Sequence, residues 1–331
     1  MNDNDFPWKV SRVILPLLIY YMVNILVQAV FGTVLIYTNI LKTEAGDYEG
    51  AYTFMDRLER AVDKNVLMFS LISALIMIGI LIYMMYKDEL YKSISPFNFS
   101  GYGLVAFMGI FASLGLGRMF AMLPLDNIIG SYSDSRNQIN QAPVSLQIIV
   151  VIIVMPVMEE MLFRGVIFNR IKKYSDKILA MYISAIIFGI YHMNLVQGIY
   201  AFFLGIVLAL VYEYYKSILA PITLHICGNF TAFFMEYNGL SRFINKHLWA
   251  SICAILVEIA IFVVLFAVFI NGISNGEMNF KNKKSVLKKL FVRGNEFKRK
   301  NTLDIKVGDE IIDETDEIKL MEKKADEHEK I

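Results

Sequence analysis

Glu159 and Glu160 stand side by side in the string Met158-Glu159-Glu160-Met161-Leu162-Phe163-Arg164, inside a long apolar stretch. A charge at the centre of a bilayer costs about 2.5–3.5 kcal/mol on insertion scales, so a buried ionisable residue in such a stretch is a functional candidate by default. Glu160 and Arg164 are four apart and share a helix face, where carboxylate and guanidinium can pair. Glu159 points roughly 100° away around the axis, so the two carboxylates can have different jobs. One can be held ionised by Arg164 while the other serves as a general base toward water. The competing reading is a buried charge network that only fixes helix packing.

Two of the four histidines, His192 and His225, also fall in apolar runs, whereas His247 and His328 do not. His225 and Asn229 are four apart and share a face. A neutral imidazole beside an amide can bind a carbonyl oxygen, orient a water or ligate a metal. Gly228 lies between them and lets another helix or a substrate come close. A single membrane histidine is commonly a packing residue. Two of them near a pair of glutamates argue for chemistry.

The elements that must position these groups are membrane helices. The chain has 331 residues, 56% hydrophobic and 19% charged, with a mean hydropathy of +0.50. That balance excludes an ordinary soluble domain. A spanning helix needs about 20 mostly apolar residues. Eight runs reach or approach that length, at 11–37, 66–86, 103–124, 144–168, 178–194, 195–215, 218–236 and 249–271. They lack strict alternation and are too long for barrel strands. The expected fold is therefore all-α, a polytopic transmembrane bundle of about eight spans. The first run is too long for a secretory signal and lacks its cleavage pattern. Cys227 and Cys253 both fall in spans, which argues against a disulfide framework or thiolate cluster.

The chain divides into N-terminal transmembrane segments (1–143), a core that carries the motifs (144–238), a last helix (239–272) and a charged tail (273–331). The tail is basic over 277–300 and acidic over 301–331, and the composition of those last 31 residues suits a disordered or loosely helical segment. An even number of spans puts both termini on one side. Lys and Arg concentrate there, so the positive-inside rule places both termini in the cytoplasm of a cell-membrane protein. Loop 39–65 is expected outside, with an amphipathic turn around Phe54, Leu58 and Val62. The sequon Asn98-Phe99-Ser100 would be silent on the cytoplasmic side. The runs 178–194 and 195–215 meet at Met193-Asn194 and should form a tight hairpin.

Depth ties the candidates together. At ~1.5 Å per residue, Glu160 lies ~20 Å from Lys173, His192 ~22 Å from Lys177, and His225 and Asn229 ~13 and ~20 Å from Lys216. All are measured from the same membrane face, so the polar groups fall in one slab. The other charges in the spans read more plainly. Arg118 is expected to snorkel outward, Glu213 to pair with Lys216 at the interface, and Glu258 to bond a neighbouring helix.

Glu159-Glu160-x-x-x-Arg164, Phe188-x-x-x-His192 and His225-x-x-x-Asn229, in this order on successive apolar segments, resemble the CAAX protease and bacteriocin-processing (CPBP, or Abi) family of intramembrane proteases. The resemblance covers residues 140–240. It implies a CAAX-prenyl-protease-like endopeptidase in which Glu160 or Glu159 activates water and His192 helps to position it. His225 and Asn229 would stabilise the oxyanion, with Arg164 as electrostatic partner of the Glu pair. The substrate would be a membrane-associated peptide or a prenylated or precursor protein, and membrane lipid the other partner, with no nucleic acid. The resemblance leaves the cofactor open between none and zinc. No His-Glu-x-x-His helix is present, although Glu160, His192 and His225 could together hold zinc with one open position. Two other readings compete: a non-enzymatic immunity or binding protein of the same fold, and a proton-coupled transporter. The transporter reading requires a repeat that the first half does not supply.

Overall fold

The computed structural model describes residues 6–42, 51–90, 101–121 and 138–275, which belong to one compact unit. The sequon and residues 276–331 of the charged tail lie outside the described residues. The helices are α1 (Phe6–Lys42), α2 (Ala51–Lys87), α3 (Tyr102–Ala121), α4 (Val144–Tyr174), α5 (Lys177–Tyr191), α6 (Leu195–Tyr215), α7 (Leu219–Tyr237), a short α8 (Leu240–Asn245) and α9 (Leu248–Asn275). Backbone groups in hydrocarbon must be bonded internally, and helices achieve this within each segment. The all-α membrane bundle is the fold of this chain.

Among the described residues six helices, α1, α2, α3, α4, α6 and α9, are long and apolar enough to cross a bilayer. The other two of the expected eight are α5 and α7, one of 15 residues and the other of 19. They end at His192 and carry His225 and Asn229, so the polar cargo and the short reach fall on the same elements. Helix α2 starts at Ala51 and runs unbroken to Lys87. It takes in most of the segment expected to be an external loop, because no Gly or Pro interrupts 51–65.

Local chemistry sets the boundaries around the core. Helix α4 begins after Pro143, whose extended backbone ends the preceding chain. It ends at Ser175, also extended, and the Asp176 side chain then caps α5 by accepting from Ile178 N at 2.8 Å and Leu179 N at 2.9 Å. Met193 turns the hairpin in the left-handed region (φ 53°). Asn194 caps α6 by accepting from Gln197 N at 3.1 Å. The tight hairpin read from the sequence is present. Its two helices touch backbone to backbone, since a Cβ added at Gly189 would sit 2.7 Å from the Gly198 carbonyl. A second close crossing joins α3 to α7, where a Cβ on Gly109 would run into the Leu224 carbonyl, with Gly228 facing Gly109 across the same contact.

Charges fasten one end of the bundle. Asp88, just past α2, accepts from Arg170 Nε of α4 at 2.6 Å and pairs with Arg12 of α1. Glu213 of α6 takes Lys172 of α4 at 2.6 Å and also pairs with Lys216, the partner the sequence indicated. Arg118 departs from expectation. It does not snorkel outward but lies buried against α9, donating from Nη2 to Glu258 Oε1 at 2.8 Å and from Nε to Oε2 at 3.1 Å. A two-pronged bond to a carboxylate on the next helix is stronger in hydrocarbon than a long reach to water. Glu258 thereby gains its interhelical partner.

That pair generates a prediction. Arg118→Met or Glu258→Leu alone strands one charge in the bundle and should lower stability by about 3–5 kcal/mol, whereas the double substitution should recover most of it. Thermal unfolding of the purified variants in detergent checks the pattern; equal loss in singles and double would refute it.

Candidate active site

Helix α4 is not a uniform α-helix. Residues Ile148–Val154 and Met161–Phe168 are π-helical, and between them a six-residue α-helical segment, Met155–Glu160, holds Pro156 and both glutamates. Extra residues per turn re-aim side chains and loosen the ladder, and such stretches recur at functional sites. Asn169 supports the second stretch by donating Nδ2 to the carbonyls of Arg164 (2.9 Å) and Gly165 (3.0 Å).

Glu160 and Arg164 are both fully buried, with no solvent exposure. Arg164 Nη1 donates to Glu160 Oε1 at 2.9 Å, and Nη2 donates to the Gly205 carbonyl of α6 at 3.0 Å. The guanidinium also lies 4.6 Å from the centroid of the Phe188 ring. From the Lys172–Glu213 bridge, Arg164 and Gly205 each lie eight residues back along their helices, ~12 Å by helical rise. The two helices therefore run in register from the charged end to the site.

His225 of α7 completes the cluster. Its Nδ1 bonds Glu160 Oε1 at 2.8 Å, and because a carboxylate accepts, that nitrogen is the donor. Its Nε2 faces Glu159 Oε2 at 3.7 Å, too long for a direct hydrogen bond. Glu160 thus has one oxygen engaged by both Arg164 and His225, while its buried Oε2 has no hydrogen-bond partner among the described residues. Glu159 is less enclosed, at 7% exposure. The sequence expectation of two carboxylates with different surroundings agrees with this geometry.

His192 lies one residue beyond α5 as its C-cap, half-buried. Its Nδ1 bonds the Phe188 carbonyl at 2.8 Å, which leaves Nε2 as the acceptor of a neutral ring. The Phe188 ring stands edge-on to both imidazoles, 4.8 Å from His192 and 6.0 Å from His225. Phe188 thereby touches Arg164, His192 and His225 together. Asn229 turns toward the first π-helical stretch, where its Nδ2 donates to the Val151 carbonyl at 2.9 Å. Motif spacing alone did not show this tie from α7 to α4.

Among the described residues, no three His, Cys, Asp or Glu side chains are placed to hold a metal ion. Both ring nitrogens of His225 face carboxylates, and Nδ1 of His192 is engaged by a carbonyl. Glu160, His192 and His225 therefore do not form a ready ligand set. Two contributors escaped the sequence reading: the Gly205 carbonyl and the Val151 carbonyl. A backbone carbonyl has no sequence signature.

The ion pair supports a prediction about folding. Arg164→Met leaves Glu160 buried without its counter-charge and should cost about 3–5 kcal/mol. Glu160→Gln removes the charge itself and should cost less. Melting temperatures in detergent rank the two, and the reverse order would count against a buried ionic pair.

Residues 141–231 match the family described as Type II CAAX prenyl endopeptidase Rce1-like. Over 103 residues the chain is 32% identical to a Bacillus subtilis (strain 168) protein named "Putative membrane peptidase YdiL", which is 31% of this chain and 42% of that protein. The chain thus spans less than half of the length of that relative. No solved structure matches. The matched segment holds Glu159, Glu160, Arg164, Phe188, His192 and His225, which cluster in space, and Asn229, whose amide bonds Val151. The segment 141–231 belongs to the CAAX protease and bacteriocin-processing family.

Proposed function

We infer that the protein is an intramembrane endopeptidase that hydrolyses a peptide bond of a membrane-associated peptide or of a prenylated or precursor protein. The observation that carries this reading is the asymmetry of the two glutamates. Glu160 is committed to Arg164 and His225, whereas Glu159 lies beside His225 Nε2 with a trace of exposure. Glu159 is then the base: it takes a proton from a water whose oxygen attacks the scissile carbonyl carbon. His192 Nε2 accepts from that water and sets its direction. The oxyanion is received by the ring of His225, whose Nδ1 is held by Glu160, and by the second N–H of Asn229. Glu159 finally delivers its proton to the leaving nitrogen as the C–N bond breaks.

The family match, and the word peptidase in the relative's printed name, support the same reaction class. The donor arrangement favours glutamate chemistry without a resident metal. The membrane is taken to be the cell membrane, with both termini in the cytoplasm. Six or eight crossings give the same result, because both numbers are even.

The test is cleavage of a quenched peptide or co-expressed precursor by purified protein. Wild type should cut. Glu159→Gln and His225→Ala should lose at least about a hundredfold in kcat while staying folded, as removal of a base or an oxyanion donor does. A chelator should leave wild-type turnover unchanged. Survival of the biological phenotype in Glu159→Gln would instead favour a binding or immunity role, and chelator-sensitive turnover would restore the metal.

A further inference from the structure

Pro156 is buried in the middle of α4, just ahead of the two glutamates. A proline has no backbone N–H to give, so inside a helix it leaves one carbonyl without its donor. In the π-helical stretch Ile148–Val154 each carbonyl takes the N–H five residues on. The Met155 N–H accordingly goes to the Val150 carbonyl. The next bond in that ladder would run from residue 156 to the Val151 carbonyl, and Pro156 cannot make it. Val151 therefore needs a donor from outside its helix, and Asn229 of α7 supplies it through Nδ2 at 2.9 Å.

The amide thus lands on the carbonyl whose donor position is a proline. Helix α7 then holds α4 on both sides of Pro156, with Asn229 on Val151 before it and His225 Nδ1 on Glu160 Oε1, at 2.8 Å, after it. Both side chains lie on one face of α7. Helix α3 backs α7 there through the contact of Gly109 with Gly228. The second π-helical stretch is served in the same way, since Asn169 Nδ2 donates to the Arg164 and Gly165 carbonyls. Asparagine side chains therefore serve α4 carbonyls on both sides of the glutamate segment.

We propose that Pro156 is a positioning residue for the glutamate pair. By withholding an N–H it hands the Val151 carbonyl to Asn229, and this tie to α7 sets how Met155–Glu160 is turned toward His225. Asn229 gains a fixed direction from the same bond, because one N–H is spent on Val151 and the other is thereby aimed. The consequence for turnover rests on Glu159 being the base.

The experiment melts the full chain in detergent as wild type, Pro156→Ala, Asn229→Leu and the double variant. Alone, Asn229→Leu strands the Val151 carbonyl in hydrocarbon and should lower the melting temperature by about 5 °C. In the Pro156→Ala background residue 156 supplies the missing N–H, and the same change should cost much less. Equal losses in the two backgrounds overturn the proposal. In the cleavage assay Pro156→Ala should lower kcat at least about tenfold with KM unchanged. It should nevertheless melt at or above the wild-type temperature, because it repairs a helix. Pro16→Ala, at the buried proline inside α1, should repair its helix and leave kcat unchanged. Wild-type kcat in Pro156→Ala overturns the positioning, and so does a kcat loss that only follows a lowered melting temperature. This arm decides even where Asn229→Leu fails to fold. If the two substitutions couple but wild type cuts no peptide, the tie stands and the peptidase reading fails.

Discussion

The buried ion pair of Glu160 and Arg164 constrains the structure around it. Neither side chain has any exposure, so each must find its partners inside the bundle. Arg164 turns one nitrogen to Glu160, another to the Gly205 carbonyl and its face to Phe188. Those contacts fix α6 and α5 against α4. Glu160 turns the same oxygen to His225 and draws in α7. One pair therefore sets the lateral positions of four helices. An isolated charge in hydrocarbon would be intolerable, and the cost of leaving any partner out enforces the arrangement.

Close helix crossings make those contacts reachable. The Gly189–Gly198 approach brings α5 onto α6, and the Gly109–Leu224 approach brings α3 under α7. Small residues permit what the charged groups demand. The π-helical stretches on either side of Met155–Glu160 add a local freedom, because they break the regular 100° progression at the residues that must face several neighbours.

Much of this was legible in the sequence. The hydropathy runs gave the membrane helices, and the four-residue spacing of Glu160 and Arg164 gave their pairing. Depth counting put the histidines and glutamates in one slab, and His225 does meet Glu160. What could not be read was lateral: depth does not say which helices are neighbours. Arg118 was expected to reach water and instead found Glu258, 140 residues on. Asn229 was read with His225 as one face, yet its amide is tied to Val151. The side on which the first helix packs had no sequence signal either; Arg12 pairs with Asp88 and the Tyr20 ring packs on Tyr191.

Helix α5 spans 15 residues, about 22 Å by helical rise, against a hydrocarbon core of about 30 Å. Its lipid neighbours face a hydrophobic mismatch, and a bilayer meets a short segment by thinning around it. Thinning at the end of α5, where His192 and the exposed Met193 turn, would bring interfacial water deeper there than beside the long helices. The supply of a small polar reactant to a dry interior is thus a property of the lipid as well as of the protein, and bilayer thickness becomes a variable of the chemistry.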